Sequence, residues 1–171
     1  GGGIIVHGKV VAGNNGAGGE SGHILVNEEE TGHCGCGKCG CLEQYSSATG
    51  IVRMAKEYLK DSSAKSMLST CKSLNAREVF DCSKAGDQLA LAVVEEACKY
   101  LAKALAHIAQ VLDPQVFVIG GGVSRAGEII TKTTEKYYRE MVMDALKDTE
   151  FRLALLGNDA GIYGAAKLVI A

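Results

Sequence analysis

Four of the seven cysteines fall within eight residues, in Cys34-Gly35-Cys36-Gly37-Lys38-Cys39-Gly40-Cys41, and His23 precedes the first of them by eleven positions. Three thiolates and one imidazole so close together suit a tetrahedral structural zinc site on His23, Cys34, Cys36 and Cys41, because soft sulfur and borderline nitrogen ligands match Zn²⁺. Glycines at 35, 37 and 40 let a short loop wrap around an ion. Two rival uses of the sulfurs stay open at this level. Cys36-x-x-Cys39 has the spacing of a redox pair, although it lacks the strand-to-helix context such pairs use, and Cys39 can replace one of the other sulfurs as ligand. Cys71, Cys82 and Cys98 lie apart and read as ordinary core or surface thiols. A glycine-rich loop has too few apolar side chains to hold its shape by packing, so metal is expected to supply its order.

The odd cysteine count argues against a secreted disulfide framework, and so does the core: 47% of the 171 residues are hydrophobic, enough for one domain or a large part of one. Eighteen basic and 20 acidic residues nearly cancel, no Lys/Arg block stands out, and aromatics are only 5%. The electrostatic footprint of a nucleic-acid binder is therefore absent, and a small-molecule partner is expected. With no signal peptide and no run of about 18 apolar residues, a soluble cytoplasmic setting without a membrane partner is expected. The chain opens Gly1-Gly2-Gly3 and runs straight into Ile4-Ile5-Val6 with no start methionine, so it reads as a fragment cut inside a glycine turn.

Ile4–Val6 and Lys9–Val11 flank His7-Gly8 and predict a tight hairpin, followed by a turn-rich stretch over Asn14–Gly19. Ile24-Leu25-Val26 predicts a third short strand before the Cys-rich loop. From Ser46 the apolar residues Ile51, Met54, Ala55, Tyr58 and Leu59 repeat at helical spacing, and a shorter helix is expected after the candidate N-cap Asn75. Asp87 caps a long helix whose stripe Leu89, Val93, Val94, Ala97, Leu101, Ala104, Leu105, Ile108 and Leu112 faces a core, with His107 packed on it, and Asp113-Pro114 ends it. Val116–Ile119 predicts a buried strand, Gly120-Gly121-Gly122 a turn, and residues 125–146 an amphipathic helix. Phe151–Leu156 predicts a further strand, Gly157-Asn158-Asp159 a turn and Ala160–Ile170 a last helix. An antiparallel opening followed by β–α–β–α is an α/β layered domain.

Gly18-Gly19-Glu20-Ser21-Gly22-His23, followed by Cys34-Gly35-Cys36-Gly37-Lys38-Cys39-Gly40-Cys41-Leu42-Glu43, resembles the signature of the ROK family of sugar kinases and repressors. Ala48–Arg53, Asp113 through Ser124, and Gly157–Gly161 are similar to segments of its bacterial glucokinases, so the likeness covers nearly the whole chain. It implies an actin-like ATPase (ribonuclease H-like) fold, with residues 1–171 as the C-terminal domain: a mixed sheet with flanking helices. It implies structural zinc on His23, Cys34, Cys36 and Cys41, with Cys39 a bystander. It implies hexose contacts from Glu20, His23 and Glu43, which would otherwise read as solvated loop acids and a ligand histidine. Carboxylates and imidazoles both suit hexose hydroxyls, which donate and accept.

By the same likeness Gly120, Gly121 and Gly122 lie against the adenosine of ATP, and Gly1, Gly2 and Gly3 form the tail of a phosphate loop. As a bare strand–turn–helix glycine run, Gly120–Gly122 is a weak signal, matching neither the dinucleotide fingerprint nor a Walker A loop. The resemblance implies ATP- and Mg²⁺-dependent phosphorylation of glucose, with an aspartate base in an N-terminal domain that this chain does not contain; no catalytic residue is assigned here. Kinases for N-acetylmannosamine, fructose or allose share these motifs. So do sugar-responsive repressors, which carry a helix-turn-helix upstream. A homo-oligomer is expected.

Overall fold

The computed structural model describes residues 1–61 and 65–170. Strands β1 (Ile5–Val6) and β2 (Lys9–Val10) pair antiparallel, Ile5 with Val10 and Val6 with Lys9. His7 and Gly8 both have positive φ, 49° and 75°, the two-residue turn whose twist matches the strands it joins. The apolar residues of this hairpin are largely exposed, Ile5 at 71% and Val10 at 69%. The expected third strand at Ile24–Val26 does not form. Leu25 makes one isolated antiparallel bridge to Cys41, because the chain has just left a 3₁₀ turn at Ser21–His23 and pairs only where the Cys loop returns.

The helix expected from Ser46 is two helices, α1 (Glu43–Ser46) and α2 (Ala48–Asp61), separated by an extended Ser47 whose hydroxyl accepts from Gly50 N–H. Helix α3 (Ala76–Lys84) begins with a reciprocal capping box between Asn75 and Glu78. Helix α4 (Gln88–Leu112) is capped by Asp87 and ends at Asp113, which adopts a left-handed conformation before Pro114. Its core face is richer in alanine than the leucine spacing implied. Ala102, Ala104, Ala106 and Ala109 are buried, Leu101, Leu105 and Ile108 are only partly so, Leu112 is 40% exposed, and His107 is exposed rather than packed. Small residues bring the helix backbone close to its neighbours, so the larger side chains sit to either side of the contact.

Beyond α4, β3 (Val116–Ile119) and β4 (Glu150–Leu153) form a parallel pair. β3 is not the fully buried strand expected, since Val118 is 60% exposed, and β4 is shorter than Phe151–Leu156, with Leu155 wholly exposed. The expected mixed sheet is found, among the described residues, as two separate two-stranded sheets. The helix expected over 125–146 is three pieces: a 3₁₀ turn at Gly122–Ala126, α5 (Glu128–Met141) and a 3₁₀ turn at Asp144–Leu146. Gly127 (φ 79°) and the extended Val142 make the breaks, which apolar periodicity does not register. Helix α6 (Ala160–Ile170) follows as expected.

Two cores share α4. Its first half packs with α2 and α3 around Ile51, Met54, Val79, Phe80, Val93 and Val94. Its second half meets α5 and the β3–β4 pair around an aromatic cluster, in which the Phe117, Tyr138 and Phe151 rings lie 5.1–5.7 Å apart. Fully buried Tyr138 donates its hydroxyl proton to Leu146 O at 3.0 Å, so the polar tip of this large side chain is satisfied.

Asp87 does more than cap. Its Oδ1 accepts from Ala90 N at 2.8 Å and Ser66 Oγ at 3.0 Å, and its Oδ2 from Met67 N at 2.6 Å, tying the 3₁₀ turn at Met67–Thr70 to α4. Burial pushes this carboxyl up, but the N–H groups of Ala90 and Met67 and the Ser66 hydroxyl outweigh it and leave the group below its ordinary value of 3.8. A depressed carboxylate contributes stability above its unfolded value and loses it as pH falls through the folded one. Asp87→Ala is expected to cost about 2 kcal/mol at neutral pH and to show a shallower loss of stability below pH 3.8 than the parent. Urea melts of both proteins across that range would check it.

Candidate metal centre and hexose site

The Cys-rich loop is built by backbone folded onto itself. Val26 N–H and Leu42 N–H donate to Gly40 O and Ile24 O at 2.8 and 2.9 Å, so residues 24–27 and 40–42 run side by side. Gly40 has φ +74°, and a Cβ there would overlap the Asn27 carbonyl oxygen. Inside this frame Cys34 N–H donates to Lys38 O and Gly37 N–H to Cys34 O, while His33 and Cys39 form a bridge, making a compact knuckle.

The knuckle and the 3₁₀ turn at Ser21–His23 bring together one ligand atom each from His23, Cys34, Cys36 and Cys41, all within 4.8 Å of one another. Cys34 Sγ is 3.6 Å from His23 Nδ1, and Cys36 Sγ is 3.6 Å from Cys41 Sγ. Cys34 and Cys41 are buried; His23 and Cys36 are exposed. Cys39 turns the other way, with Sγ 3.5 Å from His33 Nδ1 and 3.6 Å from Thr31 O. The Lys38 backbone holds the Cys36 thiol below its ordinary range, whereas burial and the neighbouring Cys36 and Cys34 sulfurs push Cys41 up to about 12. Crowded sulfurs of this kind are stable as thiolates only with a cation among them, and three sulfurs with one imidazole fit zinc.

The three candidate hexose ligands border this cluster. His23 turns Nδ1 toward the sulfurs and Nε2 toward Glu20, whose Oε2 is 3.9 Å away. Glu43 is the first residue of α1, with Oε1 accepting from Cys34 Sγ at 3.5 Å. Beside it opens a cavity of about 210 Å³ lined by His33, Gly35, Thr49 and Arg53 among others.

The two glycine runs occupy different surroundings. Gly2 packs on Gly19 and Ser21, where a Cβ would come within 2.5 Å of Ser21 Oγ, so Gly1–Gly3 adjoins the loop carrying Glu20 and His23. Gly120–Gly122 leaves the C-terminal end of β3, with Gly120 against Ala154 after β4, and the 3₁₀ turns Gly122–Ala126 and Gly157–Asp159 touch each other. Ligands of open α/β sheets collect at the carboxyl ends of parallel strands, which is where these two turns lie.

The expectation that metal alone orders the loop is incomplete. Glu30, Gln44, Tyr45 and Arg53 also brace it. Glu30 Oε2 accepts from Tyr45 OH at 2.7 Å and pairs with Arg53 Nη2 at 3.0 Å. Gln44 bridges Gly32 O and Cys41 N. In sequence, Glu28-Glu29-Glu30 reads as a solvated acidic run, and only the i,i+4 pair Arg53–Glu57 offered a signal.

With this geometry in hand, the chain belongs to the ROK family, whose model matches residues 1–171. It is 43% identical to the glucokinase of Halalkalibacterium halodurans over 99% of this chain and 52% of that protein. It is 31% identical to the N-acetyl-D-glucosamine kinase of Salmonella paratyphi B over 98% of this chain and 54% of that protein. Its structure matches that of a ROK family glucokinase from Streptomyces griseus in complex with glucose and AMPPNP, with a TM-score of 0.86 and 32% identity over 97% of this chain and 55% of that one. The fold is that of the actin-like sugar kinases, and the chain spans about half the length of the curated relatives it matches. Among the described residues no helix is long and apolar enough to cross a membrane.

Because Gly40 combines a left-handed backbone with contact to Asn27 O, Gly40→Ala is expected to cost about 2–3 kcal/mol and to loosen metal retention. Thermal melts with and without a chelator would show both effects.

Proposed function

We propose that the full-length protein transfers a phosphoryl group from ATP, with Mg²⁺, to a hexose, glucose first among them. In this reading residues 1–171 are a C-terminal domain that supplies metal, sugar and nucleotide contacts. The observation that carries it is the two-sided use of His23, with Nδ1 beside Cys34 Sγ in the four-residue cluster and Nε2 turned to Glu20. An imidazole anchored on one nitrogen presents the other to a sugar hydroxyl in a fixed tautomer and orientation. Glu20 and Glu43, on either side, accept hydrogen bonds from further hydroxyls, and a sugar lacking one leaves a carboxylate unpaired.

His23, Cys34, Cys36 and Cys41 would hold one zinc ion, whose chemistry is structural. Gly120–Gly122 and Gly1–Gly3 lack side chains and so allow adenosine and phosphate groups to approach the backbone. In this reading the general base belongs to an N-terminal domain outside residues 1–171, and Asp159, in the turn after β4, is given no such role. The 43% identity to a glucokinase supports the kinase reading and glucose as first substrate.

Coupled assays of the full-length protein on glucose, N-acetylglucosamine, N-acetylmannosamine, fructose and allose should give the highest kcat/KM for glucose. Turnover of glucose far below that of another sugar in the panel reassigns the substrate. The 171-residue chain alone should yield no glucose 6-phosphate. Cys34→Ser, Cys36→Ser and Cys41→Ser should each lose zinc and weaken hexose binding, while Cys39→Ser keeps both; greatest sensitivity at Cys36 and Cys39 would instead indicate a redox pair.

A further inference from the structure

Helix α1 is too short to hold itself. It has four residues, its N-cap Leu42 offers no side-chain hydrogen bond, and one helical turn is unstable in isolation because ordering its backbone costs more than its bonds return. Yet Glu43, its first residue, must present a carboxylate at a fixed point beside Cys34.

What fixes it is a closed circuit. Glu30 Oε1 accepts from Gly32 N at 2.8 Å, and Gln44 Nε2 donates to Gly32 O at 2.8 Å. Glu30 Oε2 takes Tyr45 OH and Arg53 Nη2, and the same Nη2 donates to Gln44 O at 3.0 Å, the carbonyl next to Glu43. Tyr45 accepts from Asn27 Nδ2 at 2.9 Å, stacks on Tyr100 at 4.0 Å and carries the Arg53 guanidinium 5.1 Å over its ring. The Glu30 side chain is 13% exposed and that of Arg53 36%, so their ion pair is shielded on the Glu30 side. Gly50 closes the back: a Cβ there would come within 2.5 Å of Gln44 O. The Tyr45 hydroxyl, the Gly32 N–H and Arg53 together outweigh burial and hold the Glu30 carboxyl below its ordinary value, consistent with a permanent anion in the circuit.

Resting on the hexose-site reading above, we infer that Glu30 and Arg53 are positioning residues: through Tyr45 and the Gln44 backbone they set the carboxylate of Glu43, and they do so separately from the metal. Among the described residues, none of their hydrogen bonds or ion pairs reaches His23, Cys34 or Cys36, and their link to Cys41 runs through Gln44.

The test uses the zinc-loaded full-length protein with Glu30→Gln and Arg53→Lys. Glu30→Gln should raise the hexose KM about tenfold with the ATP KM and zinc content at parental values. Amide hydrogen exchange at residues 43–46 should quicken while that at 34–41 does not. Arg53→Lys keeps the charge but has a single nitrogen on a shorter stem in place of Nη2, which reaches Glu30 and Gln44 O, and Nη1, which reaches Glu57, so it should give a smaller change of the same kind. Parental exchange at 43–46 in both variants overturns the proposal, and so does zinc loss that tracks the exchange, which would assign the circuit to the metal loop. A Glu43→Gln protein with unchanged hexose KM would refute the sugar contact itself, and the exchange data would still decide whether Glu30 and Arg53 position α1.

Discussion

The approach of Val26 and Asn27 to Gly40 organises the rest of the site. It puts Cys41 beside Leu25, aims the 34–39 knuckle back at His23 and hands the chain to α1 at Glu43. Only glycine permits it, because the contact with Asn27 O leaves no room for a side chain and the backbone is left-handed. The candidate metal donors and the candidate sugar ligands therefore share one piece of geometry. Distorting the crossing displaces both.

The loop is stabilised by two kinds of interaction whose strengths depend on different conditions. A thiolate–imidazole cluster needs a cation and deprotonated sulfurs, so it is sensitive to chelators and acid. The Glu30–Tyr45–Arg53 circuit needs neither. With its Glu30 end shielded, it is less subject to screening by salt than the exposed i,i+4 pairs such as Lys132–Glu128 on α5. A loop with few apolar side chains thus acquires a definite shape from polar contacts, and Tyr45 joins that shape to the first core through Tyr100.

Much of this was legible in the residues. The His23–Cys34–Cys36–Cys41 cluster stood out because sulfur is rare and the spacing is short, α3 and α4 followed from caps and periodicity at Asn75 and Asp87, and α6 followed from the turn residues before Ala160. Errors came where backbone conformation overrides composition. Gly127 breaks a helix that apolar spacing runs through, and Ile24–Val26 looks like a strand but has only the returning Cys loop to pair with. Glu30 was invisible for another reason: its partners Tyr45 and Arg53 lie 15 and 23 positions downstream, and neither local spacing nor composition encodes such a pairing. The burial of Ala102, Ala106 and Ala109 in place of the flanking leucines reflects how closely α5 approaches, a tertiary fact.

Helix α4 serves both cores and also reaches the site, since Lys103 Nζ donates to Val26 O at 2.7 Å and Ala97 O accepts from Ser46 Oγ at 2.8 Å. At 25 residues it is about 38 Å long. Neither core can dissolve while the other keeps this helix intact, so the two should melt as one cooperative unit. Val26 would then hang on an element that opens only when both cores do, while the exposed turns beyond it at 35–38 keep their own, more frequent local openings.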